Sequence, residues 1–168
     1  MSDLSTLDRE TFVSRFGGVF EHSPWIAKAT YDAGLPKGLE SAEDLHSQLV
    51  ATLAKGSETQ KRDLITAHPD LAGKLARAGR LTSDSTREQA AAGLDLLSDE
   101  ERESFTKLND KYKAKFGIPF IMAVKGRSKE EILAAFAQRL ENTPEEEFDT
   151  ALKQIERIAL LRLKEMLP

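Results

Sequence analysis

Helix start signals recur along this chain closely enough to dictate its class. Ser85-Thr86-Arg87-Glu88, Ser98-Asp99-Glu100-Glu101, Ser128-Lys129-Glu130-Glu131 and Thr143-Pro144-Glu145-Glu146 each place a hydroxyl residue three positions before a glutamate. In such a box the hydroxyl accepts from the backbone N–H of the glutamate, and the carboxylate accepts from the N–H of the hydroxyl residue. Two of the orphan donors at a helix start are thereby satisfied together. Ser41 with Asp44 is a weaker version. Pro24 after Ser23 and Pro144 after Thr143 stand where a first helical turn tolerates proline, and Gly34, Gly56 and Gly117 fall where helices would end. Read between these marks, the apolar spacing predicts helices over 7–16, 24–33, 42–55, 58–67, 70–78, 86–96, 99–115, 129–141 and 144–166.

One stretch breaks the helical pattern. Gly117-Ile118-Pro119-Phe120-Ile121-Met122-Ala123-Val124-Lys125-Gly126 is a short apolar run bounded by glycines, too short for a helix and without a second strand to pair with. It reads as a buried extended segment near 118–124. The fold class expected is therefore all-α: a single-domain helical bundle over 1–168, of about eight to nine helices, with that one exception. Buried non-helical backbone leaves N–H and C=O groups that need partners, and a ligand can supply some of them.

Composition narrows the function classes. A chain of 168 residues suits one domain with a working core, and 40% hydrophobic with 31% charged residues is neither disordered nor membrane-like. The net charge is −4 with both signs scattered, and no basic arm or Arg-rich block occurs, so nucleic acid is not an expected partner. The absence of cysteine excludes a disulfide framework, a thiolate nucleophile and any Cys-based metal site. Met1 to Glu10 does not read as a signal peptide, and no window approaches the roughly 18 apolar residues of a membrane span. The ending Glu165-Met166-Leu167-Pro168 is not a peroxisomal address, which makes the cytoplasm the expected location.

Candidates for chemistry are few. The three histidines, His22, His46 and His68, have no metal-ligand spacing among them or with acidic pairs, so no metal is expected. Neither a Gly-x-Ser-x-Gly elbow nor a Gly-rich phosphate loop is present. His68 stands out by position: it follows Leu64-Ile65-Thr66-Ala67 and precedes Pro69, which pushes its backbone out of helical conformation. A histidine at such a joint either terminates the helix, half exposed and inert, or is aimed for proton transfer near neutral pH. Glu88 is explained by its capping box, but Gln89, Ala90, Ala91, Ala92 and Gly93 leave the helix bare just beyond its start, where free N–H groups suit a carboxylate or a ureido carbonyl. Arg162 lies along the apolar stripe Phe148, Ala151, Ile155 and Ile158. A buried guanidinium there needs an anion, either a structural carboxylate or one on a substrate. Arg157, Lys153 and Lys164 fall on the outward side, and His22 beside Ser23-Pro24-Trp25 reads as part of a helix start with a core aromatic.

These residues carry a resemblance. Phe16-Gly17-Gly18-Val19-Phe20-Glu21-His22-Ser23-Pro24-Trp25-Ile26-Ala27 resembles the N-terminal signature of the 2-oxo-4-hydroxy-4-carboxy-5-ureidoimidazoline (OHCU) decarboxylases. Ala67-His68-Pro69-Asp70-Leu71 resembles their His-Pro segment, and Ser85 to Leu94 their Ser-x-x-Glu-Gln-x-x-Ala-Gly-Leu motif. Phe116-Gly117-Ile118-Pro119-Phe120-Ile121 is similar to their Phe-Gly-x-Pro-Phe segment, and Ile158 to Leu163 to their closing Ile-x-x-Leu-Arg-Leu. The ordered set covers about residues 10–165; each motif alone is weak, and together they are specific.

The resemblance implies an all-α, usually homodimeric carbon–carbon lyase that needs no cofactor and converts OHCU to (S)-allantoin and CO2, the third step of urate degradation. His68 would transfer the proton, with Glu88 as a second catalytic residue. Pro69, Ser85, Thr86, Arg87, Glu88 and Gln89 would line the substrate, as would Phe120, Ile121, Met122, Ala123 and Val124, with Arg162 in the same pocket. Family members in eukaryotes often end in a peroxisomal tripeptide, so its absence here suggests a cytoplasmic, bacterial version. The principal rival is a non-catalytic all-α ligand- or partner-binding module, which would expose a contiguous apolar stripe instead of a polar pocket. Another enzyme of ureide breakdown is a second rival: amidohydrolases mostly need metal ligands, and two-base racemases usually a second acid or thiol.

Overall fold

The computed structural model describes residues 3–68, 98–124 and 127–167. Among these, seven α-helices and one 3-10 turn form the structure, and no strand occurs. The helices are α1 (Arg9–Phe16), α2 (Trp25–Asp32), α3 (Ala42–Ala54), α4 (Glu58–Ala67), α5 (Asp99–Phe116), α6 (Lys129–Arg139) and α7 (Pro144–Met166). The helices expected over 70–78 and 86–96 lie outside the described residues. The all-α class is as the start signals predict, and among the described residues no helix is long and apolar enough to cross a membrane. The helices gather into two compact units. One holds 3–67 with 156–167, the other holds 68, 98–124 and 127–155, and α7 contributes to both.

In the first unit the chain enters through the 3-10 turn Leu4–Thr6, whose cap Asp3 accepts from the N–H groups of Ser5, Gly38 and Leu39. Asp8 then caps α1 through the Thr11 N–H, so that helix starts two residues later than the apolar pattern suggests. The core follows from helical periodicity. Phe12 and Phe16 on α1, Ile26 and Ala27 on α2, and Leu45, Leu49 and Leu53 on α3 are all buried, as are Leu64 and Ile65 on α4. Polar groups inside are partnered: the Tyr31 hydroxyl donates to Leu7 O, and Thr30 and Thr52 share a hydroxyl bond of 2.6 Å. His46 Nε2 lies 2.7 Å from Glu156 O, which ties α3 to the last part of α7.

The second unit is organised by capping boxes and one aromatic cluster. Both halves of the box are present at Ser98/Glu101, Ser128/Glu131 and Thr143/Glu146. Helix α5 ends at Gly117, whose φ of 67° is the left-handed turn that glycine adopts without steric cost. The chain then runs non-helically through 118–124, every residue of it buried. Phe120 anchors the run: its ring stacks on Phe136 of α6 at 3.7 Å and 9°, and meets Tyr112 of α5 edge-on at 5.2 Å. The predicted buried extended segment is thus held by ring packing from two helices.

Candidate active site

Arg162 is 4% exposed, as its place on the apolar stripe of α7 predicts, and its environment is built by the turn between α1 and α2. That turn reverses sharply. Val19 N–H donates to Phe16 O, Ser23 N–H to Phe20 O, and the Ser23 hydroxyl to Glu21 O. His22 takes φ 48°, the left-handed region that few non-glycine residues adopt and that histidine tolerates better than most. With His22 outside, Glu21 is tucked in at 2% exposure, and Arg162 Nη2 donates to its Oε1 at 2.9 Å while Nη1 donates to Val19 O at 3.2 Å. The buried guanidinium thus has a carboxylate partner from its own chain, and the two bonds fix the plane it presents. The glutamate and the histidine of the Phe-Glu-His-Ser-Pro-Trp stretch have different tasks: one carries the anion, the other the backbone turn.

A second buried ionic cluster lies in the other unit, and the sequence reading did not identify it. Glu147 is 0% exposed and receives Arg139 through Nε and Nη2, at 2.9 Å for the shortest contact. The same carboxylate accepts the Tyr112 hydroxyl and, at 2.8 Å, the Asn142 amide. Burial pushes the Tyr112 phenol well above its ordinary value, and the bond to Glu147 adds to the rise, so it stays protonated as a donor. The remaining edge of the Arg139 guanidinium donates from Nη1 to Ile121 O at 2.6 Å and lies over the Phe120 ring at 4.4 Å. Gln154 of α7 reaches the same segment, its side-chain oxygen accepting from the Ala123 N–H at 2.9 Å. The expected substrate-lining residues Phe120, Ile121, Met122, Ala123 and Val124 are therefore a buried, tethered run.

His68 follows α4 directly and is 6% exposed, so it is not the half-exposed helix terminator of the blander reading. The structure thus assigns Arg162 to the first unit, and His68 and Phe120–Val124 to the second. Pro69, Ser85, Thr86, Arg87, Glu88 and Gln89 lie outside the described residues. Among the described residues no group of three His, Asp or Glu side chains could hold a metal ion.

Two signals for the missed residues were present in the sequence. Arg139 follows Ile132 and Phe136 at seven and three positions, and Glu147 precedes Ala151 and Ile155 at four and eight, so both continue apolar stripes. Glu147 is masked by the run Glu145-Glu146-Glu147, which reads as the acidic first turn of a helix. Ser57 and Gln60 form a further reciprocal box, the N–H of each accepted by the other's side chain at 2.9 and 3.1 Å; here glutamine stands where the other boxes have glutamate.

The family model described as OHCU decarboxylase matches residues 5–164. The 2-oxo-4-hydroxy-4-carboxy-5-ureidoimidazoline decarboxylase of Halalkalicoccus jeotgali is 40% identical over 166 residues, which are 99% of this chain and 90% of that protein. A crystal structure of (S)-allantoin synthase superposes with a TM-score of 0.74 at 34% identity, covering 95% of this chain and 51% of that one; the chain spans about half of that synthase. A crystal structure of OHCU decarboxylase in the presence of (S)-allantoin shares the fold, with a TM-score of 0.68 over 96% of this chain and 99% of the other at 22% identity.

Proposed function

Since this chain belongs to the OHCU decarboxylase family, we propose that it decarboxylates OHCU to (S)-allantoin, acting as one domain and without a cofactor. The observation that carries this reading is a near-full-length match to a decarboxylase of that name, with the family motifs in order along the chain. The substrate makes the chemistry possible without an added electron sink. Its carboxylated C4 is bonded to C5, which is part of a C=N group. When the C4–carboxylate bond breaks, the electron pair forms a C4–C5 double bond and the C=N electrons move to nitrogen, which takes up a proton. Transfer of hydrogen to one face of C5, with C4–OH becoming C=O, gives a single allantoin enantiomer.

The protein then has to orient the carboxylate, stabilise the charge that develops and deliver hydrogen to one face. His68 is the group proposed to move the proton; its burial beyond α4 removes it from bulk water, and an imidazole can both give and take a proton. Glu88 is proposed to hold the His68 tautomer or to bond the substrate hydroxyl. Arg162, oriented by Glu21, suits the departing carboxylate. The main chain of Phe120 to Val124, with Gln89, is proposed to meet the ureido and ring amides through the groups that Arg139, Gln154 and Arg127 do not engage, while Pro69 and Ser85 to Arg87 complete the lining. A homodimer and a cytoplasmic location rest on the family resemblance.

The experiment is a circular dichroism time course on OHCU made in place by urate oxidase and 5-hydroxyisourate hydrolase. The expected result is rapid growth of the (S)-allantoin signal, retained in chelator. A folded protein that does not exceed spontaneous decay would remove the assignment and favour a non-catalytic binding module.

A further inference from the structure

We propose that Gln154 and Arg139 are positioning residues that fix the backbone of 120–124 for substrate, a role that rests on the decarboxylase reading. In an extended chain successive residues turn their N–H and C=O groups to opposite edges. Ile121 and Ala123 therefore share one edge, and the two scaffold bonds fall there: Arg139 Nη1 donates to Ile121 O at 2.6 Å, and Gln154 Oε1 accepts from Ala123 N–H at 2.9 Å. The donor comes from α6 and the acceptor from α7. The opposite edge is that of Phe120 and Met122. Among the described residues, the N–H and C=O of Met122 make no hydrogen bond although the residue is buried. Buried main-chain groups of that kind require a partner, and a flat amide-rich substrate supplies both donors and acceptors.

The two tethers differ in what else they do. Arg139 neutralises the buried Glu147 carboxylate, so its removal strands a charge and threatens the fold. Gln154 is half-buried, carries no charge and makes one bond to the segment, so it isolates the positioning effect. If the bond only added stability, its loss would lower the unfolding temperature and leave substrate affinity alone. If it sets the edge that substrate meets, its loss raises KM more than it lowers kcat.

The test uses the full chain, with OHCU generated in place, and reads kcat, KM and thermal midpoint for wild type and Gln154→Met. Methionine keeps the side-chain length and the helix propensity and deletes the acceptor. The expected result is a KM raised about tenfold, with kcat within about threefold and the midpoint within about 3 °C of wild type. Gln154→Glu, which retains an acceptor oxygen, is read through competition by uncharged (S)-allantoin so that charge repulsion does not enter. Its inhibition constant should return to within about threefold of wild type, whereas that of Gln154→Met is about tenfold weaker. Unchanged KM in Gln154→Met on an active wild-type background overturns the positioning role alone, as does a lowered midpoint with unchanged KM, or a Gln154→Glu variant as weak as Gln154→Met. A folded wild type that does not turn over OHCU overturns the decarboxylase reading and this role with it.

Discussion

At the residue scale the described residues hold two buried ion pairs, Arg162–Glu21 and Arg139–Glu147, both shielded from water. Such a pair is weak evidence of net stabilisation, because desolvation offsets most of the attraction, but removing one partner leaves an uncompensated charge. Glu21→Leu and Arg162→Met should each lower unfolding free energy by about 3–5 kcal/mol. The double variant should cost clearly less than the sum of the two, read by urea denaturation. Additive costs would show that the 2.9 Å contact carries no coupling. His68 tests the chemistry instead. His68→Asn preserves polarity and approximate size while removing the imidazole, so turnover should fall by at least about a hundredfold with the fold intact. Near-wild-type kinetics, with unfolding unchanged by circular dichroism, would transfer the proton role elsewhere.

At the element scale the helices are set by local chemistry that can be tested one cap at a time. Asp3 caps the 3-10 turn and receives the N–H groups of Ser5, Gly38 and Leu39, and the Gly38 bond is the chief reason its pKa falls to about 2 from 3.8. A carboxyl with a depressed folded pKa adds stability above its unfolded pKa and loses it as pH falls through the folded one. The Asp3 contribution should therefore be intact at pH 5 and above and fade between about 4 and 2. Asp3→Asn should show a flatter stability profile across that window, measured by thermal unfolding at stepped pH. An unchanged acid limb would mean that the turn opens before Asp3 titrates.

At the scale of the whole molecule, α7 is the shared element: Glu147 near its start belongs to one unit and Arg162 near its end to the other. A single helix cannot be lost from one unit without disturbing the other, which favours one cooperative transition over two. Scanning calorimetry should give a single peak with matching calorimetric and van't Hoff enthalpies. For the proposed homodimer the midpoint should rise with protein concentration, because association stabilises the folded state. Two resolved peaks would mean that the units melt independently.

Much of this was legible in sequence because its causes are local. A hydroxyl residue three positions before a glutamate makes a capping box wherever solvent and backbone allow, and Ser98, Ser128 and Thr143 each do so. The apolar spacing of Leu45, Leu49 and Leu53 needs no more than the helical period to bury one face. The departure at 118–124 was legible as well, since a proline and flanking glycines leave no helix to form. What only tertiary structure decided were the partners of buried charge. Glu147 looks like any glutamate of an acidic first turn, and Glu21 like any polar residue of a turn. Each is buried because an arginine distant along the chain, or on a neighbouring helix, arrives at hydrogen-bonding distance. Periodicity reports which face a residue occupies; the three-dimensional packing of helices decides which charge it meets there.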